Sequence, residues 1–154
     1  MTDHVKEAVQ AGAIGFSTSR SPSHRTSDDR PVASRIAIQM AAEVVSVALA
    51  LGHTVEPISG IDPSRFIEAA KGINAEELQT DMATGAEAVA GGHPSFLQDV
   101  MKHRRTEIEF LNGLVVQRAG EMGLEVPANA GLIAAVQAVE RGEAPAGIER
   151  IEGI

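Results

Sequence analysis

The segment from Ile36 to Leu51 sets the terms for the rest of the chain. Ile36, Met40, Val44, Val47 and Leu51 recur at helical spacing, and the opposite side is mostly Ala and Val. A helix that is apolar nearly all round has no wet side and must be buried on more than one of its faces. Gln39, Glu43 and Ser46 interrupt it, and with its short length they argue against a bilayer span. Gly52 ends it.

The sequence elsewhere offers more helices and no convincing set of strands. Asp62-Pro63 reads as a cap followed by proline at the first helical position, opening a helix over Ser64 to Lys71 that stops at Gly72. Asn74 can cap the next helix, Ala75 to Val89, with Leu78, Met82 and Ala86 on one side. Gly91-Gly92-His93-Pro94 breaks the pattern; without a preceding strand or a following GK[ST] it is a loop rather than a phosphate cradle. Ser95 with Gln98, and Thr106 with Glu109, fit the capping-box spacing, so two further helices start there. The second carries Ile108, Leu111, Leu114, Val115, Ala119 and Met122 on one face, and Gly123 supplies its left-handed cap. Asn129 is expected to cap a last helix through Glu140, closed by Gly142. The expectation is an all-α fold, a bundle of roughly six or seven helices. His53 to Gly60 is read as a connector punctuated by Pro57, and residues 143–154 as a tail.

Composition narrows the function. With 3% aromatics, no Trp and no Tyr, the core must be aliphatic, and there is no stacking platform for bases. A net charge of −8 argues against nucleic-acid binding, which needs cationic surface. The absence of cysteine excludes disulfides, thiol catalysis and Cys-ligated zinc. Met1 to Gly12 has no apolar signal-peptide core, so a cytoplasmic protein is expected.

Several words in the second half form an ordered set: Ser95-Phe-Leu-Gln-Asp99, Arg105-Thr-Glu-Ile108, Leu111-Asn-Gly113 and Val126-Pro-Ala-Asn129. At this spacing they resemble the C-terminal domain of ketopantoate reductase (2-dehydropantoate 2-reductase), with the likeness extending over about residues 36–142. That domain is a helical bundle of the 6-phosphogluconate dehydrogenase C-terminal-like kind. The resemblance implies that Ser95 is a substrate-binding serine and Glu107 the active-site glutamate. Read from the residues alone, Ser95 is a helix cap and Glu107 an acid answering a helix dipole. Lys102-His103-Arg104-Arg105, between the two, could steer an anion or simply close a helix end.

The family's reductases pair this domain with a Rossmann domain that binds NADPH, and take a proton from a lysine on the first helix of the helical half. No G-x-G-x-x-G stands in this sequence. Lys6 and Gln10 lie where the family pattern wants Lys and Asn, but a surface lysine explains Lys6 equally well and the role is not carried over. Instead, residues 5–34, with Glu7-Ala-Val-Gln-Ala-Gly-Ala-Ile-Gly-Phe-Ser-Thr-Ser-Arg20, resemble a short internal segment of the N-acyl-D-amino-acid deacylases. Those are metal-dependent barrels. His4 and His24 have no partner at ligand spacing, so no metal site is expected and both histidines read as surface residues.

The expected organisation is therefore an N-terminal extension over residues 1–34, a helical domain over 35–142 and a tail. The expected function is the substrate-binding and dimerisation half of an NADPH-dependent reductase, inactive alone, holding no cofactor itself and relying on a Rossmann-domain partner. Homo-oligomers are expected from the apolar surface that such a partner would cover. The alternatives are a non-catalytic interaction module and a deacylase-related fragment.

Overall fold

The computed structural model describes residues 32–87, 99, 102 and 104–144. Five helices lie within them: α1 (Val32–Ala50), α2 (Pro63–Ala70), α3 (Ala75–Glu87), α4 (Ile108–Glu121) and α5 (Pro127–Glu140). No strand occurs among the described residues, so the all-α expectation is met. The helix expected from Ser95 and the tail beyond residue 144 lie outside the described residues, although Asp99 is helical.

α1 is the axis of the bundle. It packs against α2, α3, α4 and α5, most extensively against α2, and α4 packs on α5. Its residues Ile36, Ala37, Ile38, Met40, Ala41, Ala42, Val44, Val45, Val47 and Ala48 are all buried. The all-round apolar helix is thus covered within one chain and does not of itself require a second copy. Ser46, in its fourth turn, returns its hydroxyl to the Ala42 carbonyl at 2.7 Å and so meets its hydrogen-bonding need inside the helix.

Phe66 and Ala69 of α2, Leu78 of α3, Ile108, Val115 and Ala119 of α4, and Leu132 and Val136 of α5 complete the core. The connector between α1 and α2 contributes as well. Ile58 and Ile61 exchange both backbone hydrogen bonds at 2.9 Å around Ser59 and Gly60, whose φ angles are 51° and 80°. Two successive left-handed residues make the type I′ turn, which Gly60 permits at little cost. The turn sends both isoleucines into the core, so the connector is part of the packing.

Candidate functional site

The helix starts place the polar residues, and each is held differently. At α2 the local reading is met. Asp62 is the cap, Pro63 follows it, and the Asp62 carboxylate accepts from Ser64 N–H at 2.9 Å and Ser64 Oγ at 2.6 Å. The Ser64 hydroxyl, then its N–H, hold the Asp62 carboxyl below its usual range.

At α5 the local reading fails. Asn129 is not the cap: the helix begins at Pro127, the capping position is Val126, and no side chain from the flanking residues caps it. Glu43, from the middle of α1, does the work instead. Its carboxylate accepts from Ala128 N–H at 2.8 Å, Asn129 N–H at 2.9 Å and Asn129 Nδ2 at 2.6 Å. Pro127 has no N–H to satisfy and Ala130 N–H reaches the Val126 carbonyl, so the whole first turn is provided for. Asn129 is fully buried, donating also to the Met40 carbonyl at 3.3 Å and accepting from Asn112 Nδ2 at 2.8 Å. Glu43, Asn129 and Asn112 thus join α1, α5 and α4 through buried polar groups. Among the described residues no buried side-chain nitrogen or oxygen lacks a partner.

At α4 the expected box is rearranged. Thr106 and Glu109 do not pair. Thr106 N–H and Oγ both donate to Glu140 Oε1, each at 2.6 Å, from the far end of α5. Thr106 Oγ accepts only a long bond, 3.4 Å, from Ile108 N–H. Glu109 is turned to Arg105 at 2.9 Å and to Gln137 at 2.8 Å. Because the start of α4 meets the end of α5, while Asn112, further along α4, meets Asn129 at the start of α5, the two helices run antiparallel.

Glu107 occupies the capping position of α4, yet its side chain makes no capping bond. It is exposed, and no hydrogen bond or ion pair of its carboxylate is found among the described residues. Beside it on the same helix Phe110 is 79% exposed, with Leu111 and Leu114 half-buried below. Among the described residues this carboxylate is therefore unengaged and stands beside an exposed phenylalanine on its helix. Ser95, the second residue assigned to the site, lies outside the described residues, as do Lys6, His4, His24 and His93. In the basic run, Lys102 and Arg104 donate backbone N–H groups to the Asp99 carbonyl at 3.1 and 2.8 Å, the geometry of a closing helix end. Arg105 is paired with Glu109.

The starts of α2, α3, α4 and α5 are poor cradles for a dinucleotide. A pyrophosphate is held by free N–H groups at a helix N-terminus. Here α2 and α5 already face Asp62 and Glu43, α3 carries Glu76 and Glu77 in its first turn, and α4 carries Glu109. The acids at these four starts are unsuited to a pyrophosphate. No group of three or more His, Cys, Asp or Glu suited to a metal ion is found among the described residues. Nor is any described helix long and apolar enough to cross a membrane.

An all-helical domain built on a buried central helix, with an exposed glutamate opening its fourth described helix, is what the geometry defines. The family model "Ketopantoate reductase PanE/ApbA C terminal" matches residues 22–140, and the chain belongs to that family. The match begins inside the stretch read as an extension. The chain is 40% identical over 57 residues to the 2-dehydropantoate 2-reductase of Archaeoglobus fulgidus, covering 37% of this chain and 19% of that protein. It is 36% identical over 67 residues to the proteins of the same name from Shigella flexneri and Escherichia coli O157:H7, covering 44% of this chain and 22% of each. The chain thus matches about a fifth of the length of these relatives. No solved structure matches it.

Sequence reasoning missed Glu43, Asn112, Asn129 in its true role, and Glu140. A signal was present for two of them. Asn112 and Asn129 stand inside the words Leu111-Asn-Gly113 and Val126-Pro-Ala-Asn129 that carry the family resemblance. Those two words describe the scaffold that supports the site.

Proposed function

We propose that this chain is the substrate-facing helical half of a ketopantoate reductase-type enzyme, with NADPH held by a dinucleotide-binding domain outside this sequence. The observation that carries the proposal is Glu107: an exposed carboxylate without a capping bond, which the sequence resemblance assigns as the active-site glutamate. A glutamate kept only for helix stability would be expected to engage backbone N–H groups or a neighbouring cation. Here Thr106 and Glu109 use other partners, and Glu107 is left able to accept from a substrate hydroxyl or exchange a proton with it. Ser95 is assigned to substrate binding on the same resemblance. A cytoplasmic location belongs to the same reading.

The test is reconstitution. The chain alone should show no micromolar NADPH binding by calorimetry and no reduction of 2-dehydropantoate. Mixed with the dinucleotide-binding domain of a family member, it should restore NADPH-dependent reduction, and Ser95→Ala should weaken substrate binding in the mixture. Micromolar NADPH binding by the isolated chain would contradict the assignment of the cofactor to another domain. A mixture that forms a complex but never turns over would remove the enzymatic reading.

A second reading, a non-catalytic interaction or dimerisation module, is favoured by Phe110, whose ring is largely exposed on the same face. It predicts that Phe110→Ala abolishes association while Glu107→Gln changes nothing. A deacylase-related role has only the resemblance of residues 5–34 behind it.

A further inference from the structure

Glu140 belongs to the last turn of α5, but its carboxylate acts on the start of α4. One oxygen takes both donors of Thr106, the residue immediately before Glu107. Thr106 is buried, whereas Glu107 is exposed. One turn earlier on α5, Gln137 donates to Glu109, on the other side of Glu107 in sequence. The segment that bears Glu107 is thus held on both flanks from α5, and the Glu107 carbonyl accepts from Phe110 and Leu111 N–H, while its side chain makes no capping bond.

We propose that Glu140 is a positioning residue for Glu107: by anchoring the Thr106 N–H and hydroxyl, it fixes the backbone that orients the Glu107 carboxylate. The proposal rests on the reading of Glu107 as a site residue, but its geometric content does not need a substrate. Both Thr106 bonds require an acceptor oxygen and not a charge. A glutamine at position 140 keeps that oxygen in reach, whereas alanine removes it. Asn112, one and a half turns further along α4, is tied to Asn129, so a loosened start of α4 would hinge above a helix body that stays in place.

The experiment uses the full chain as wild type, Glu140→Ala, Glu140→Gln and Thr106→Val. Amide hydrogen exchange is read by NMR, together with the carbon signal of the Glu107 carboxyl group. In Glu140→Ala, exchange at Thr106 and Ile108 should quicken by about tenfold or more, as loss of bonds to a charged acceptor implies. The Glu107 carboxyl signal should move, and exchange at Leu132 and Phe66 should hold. Glu140→Gln should restore both local readouts, a rescue that a general loss of stability would not show. Thr106→Val, which keeps the backbone bond, should fall between, and serves if the alanine variant does not fold. An unmoved Glu107 signal in Glu140→Ala and Thr106→Val would overturn the proposal. So would equal acceleration at Phe66, or a Glu140→Gln protein as perturbed as the alanine variant. Failure of the reductase reconstitution with these signals behaving as expected would count against the proposed function alone.

Discussion

The start of α5 and the start of α4 both carry glutamates, and the two glutamates do opposite things. Glu43 is buried at 6% exposure, and its carboxylate takes three hydrogen bonds at the first turn of α5. Glu107 sits at the capping position of α4, exposed, with no capping bond. From the sequence their roles look reversed. Glu43 is an acid interrupting an apolar helix, and Glu107 is the acid at a helix start. The difference teaches that a helix start is satisfied by whichever carboxylate the tertiary fold delivers to it. Where a distant one does so, the local one is released for other use.

The largest expected effect lies at Glu43. Glu43→Ala removes the acceptor for Ala128 N–H, Asn129 N–H and Asn129 Nδ2. Each unmet buried donor costs about 1–3 kcal/mol, so a loss of roughly 3–5 kcal/mol is expected by denaturant unfolding. Glu43→Gln sharpens the comparison. It keeps one acceptor oxygen but turns an NH2 group toward donors, and should lose about half as much. If the glutamine variant matched wild type, the carboxylate would not be what holds α5.

Next is the α4 start. Glu140→Ala should cost about 1–3 kcal/mol, since it strips two bonds to a charged acceptor, one fewer than at Glu43. Smaller still is the acid response of α2. Because the folded Asp62 carboxyl lies below its ordinary value, its contribution is fully present above that value and fades as pH falls through the folded one. The wild-type unfolding free energy should therefore drop more steeply below about pH 4 than that of Asp62→Asn. Parallel curves would show that the Ser64 bonds stabilise nothing.

What could be read from the sequence follows the reach of the interactions. Asp62 and Ser64 are two residues apart, and that cap was legible. Gly52, Gly72, Gly123 and Gly142 end helices as expected, each with positive φ, because a left-handed residue needs only its own lack of a Cβ. The apolar face of α4 was also legible, since Ile108, Val115 and Ala119 are buried. Glu140 is 34 residues from Thr106, and Glu43 is 86 from Asn129. Nothing local distinguishes those partners from nearer candidates. The nearer ones misled: Glu109 at box spacing goes to Arg105 and Gln137, and Asn129 looks like a cap only because its burial is invisible in one dimension. Phe110 stood outside the apolar face read for this helix, and it is exposed.

The comparison between the two glutamates is tested most directly by unfolding Glu107→Gln beside wild type under one set of conditions. With no capping bond to lose, Glu107→Gln should unfold within about 0.5 kcal/mol of wild type, as surface changes away from structural contacts do. A loss of about 1 kcal/mol or more, the cost of a missing cap, would contradict the account and return Glu107 to the role of a helix-end residue.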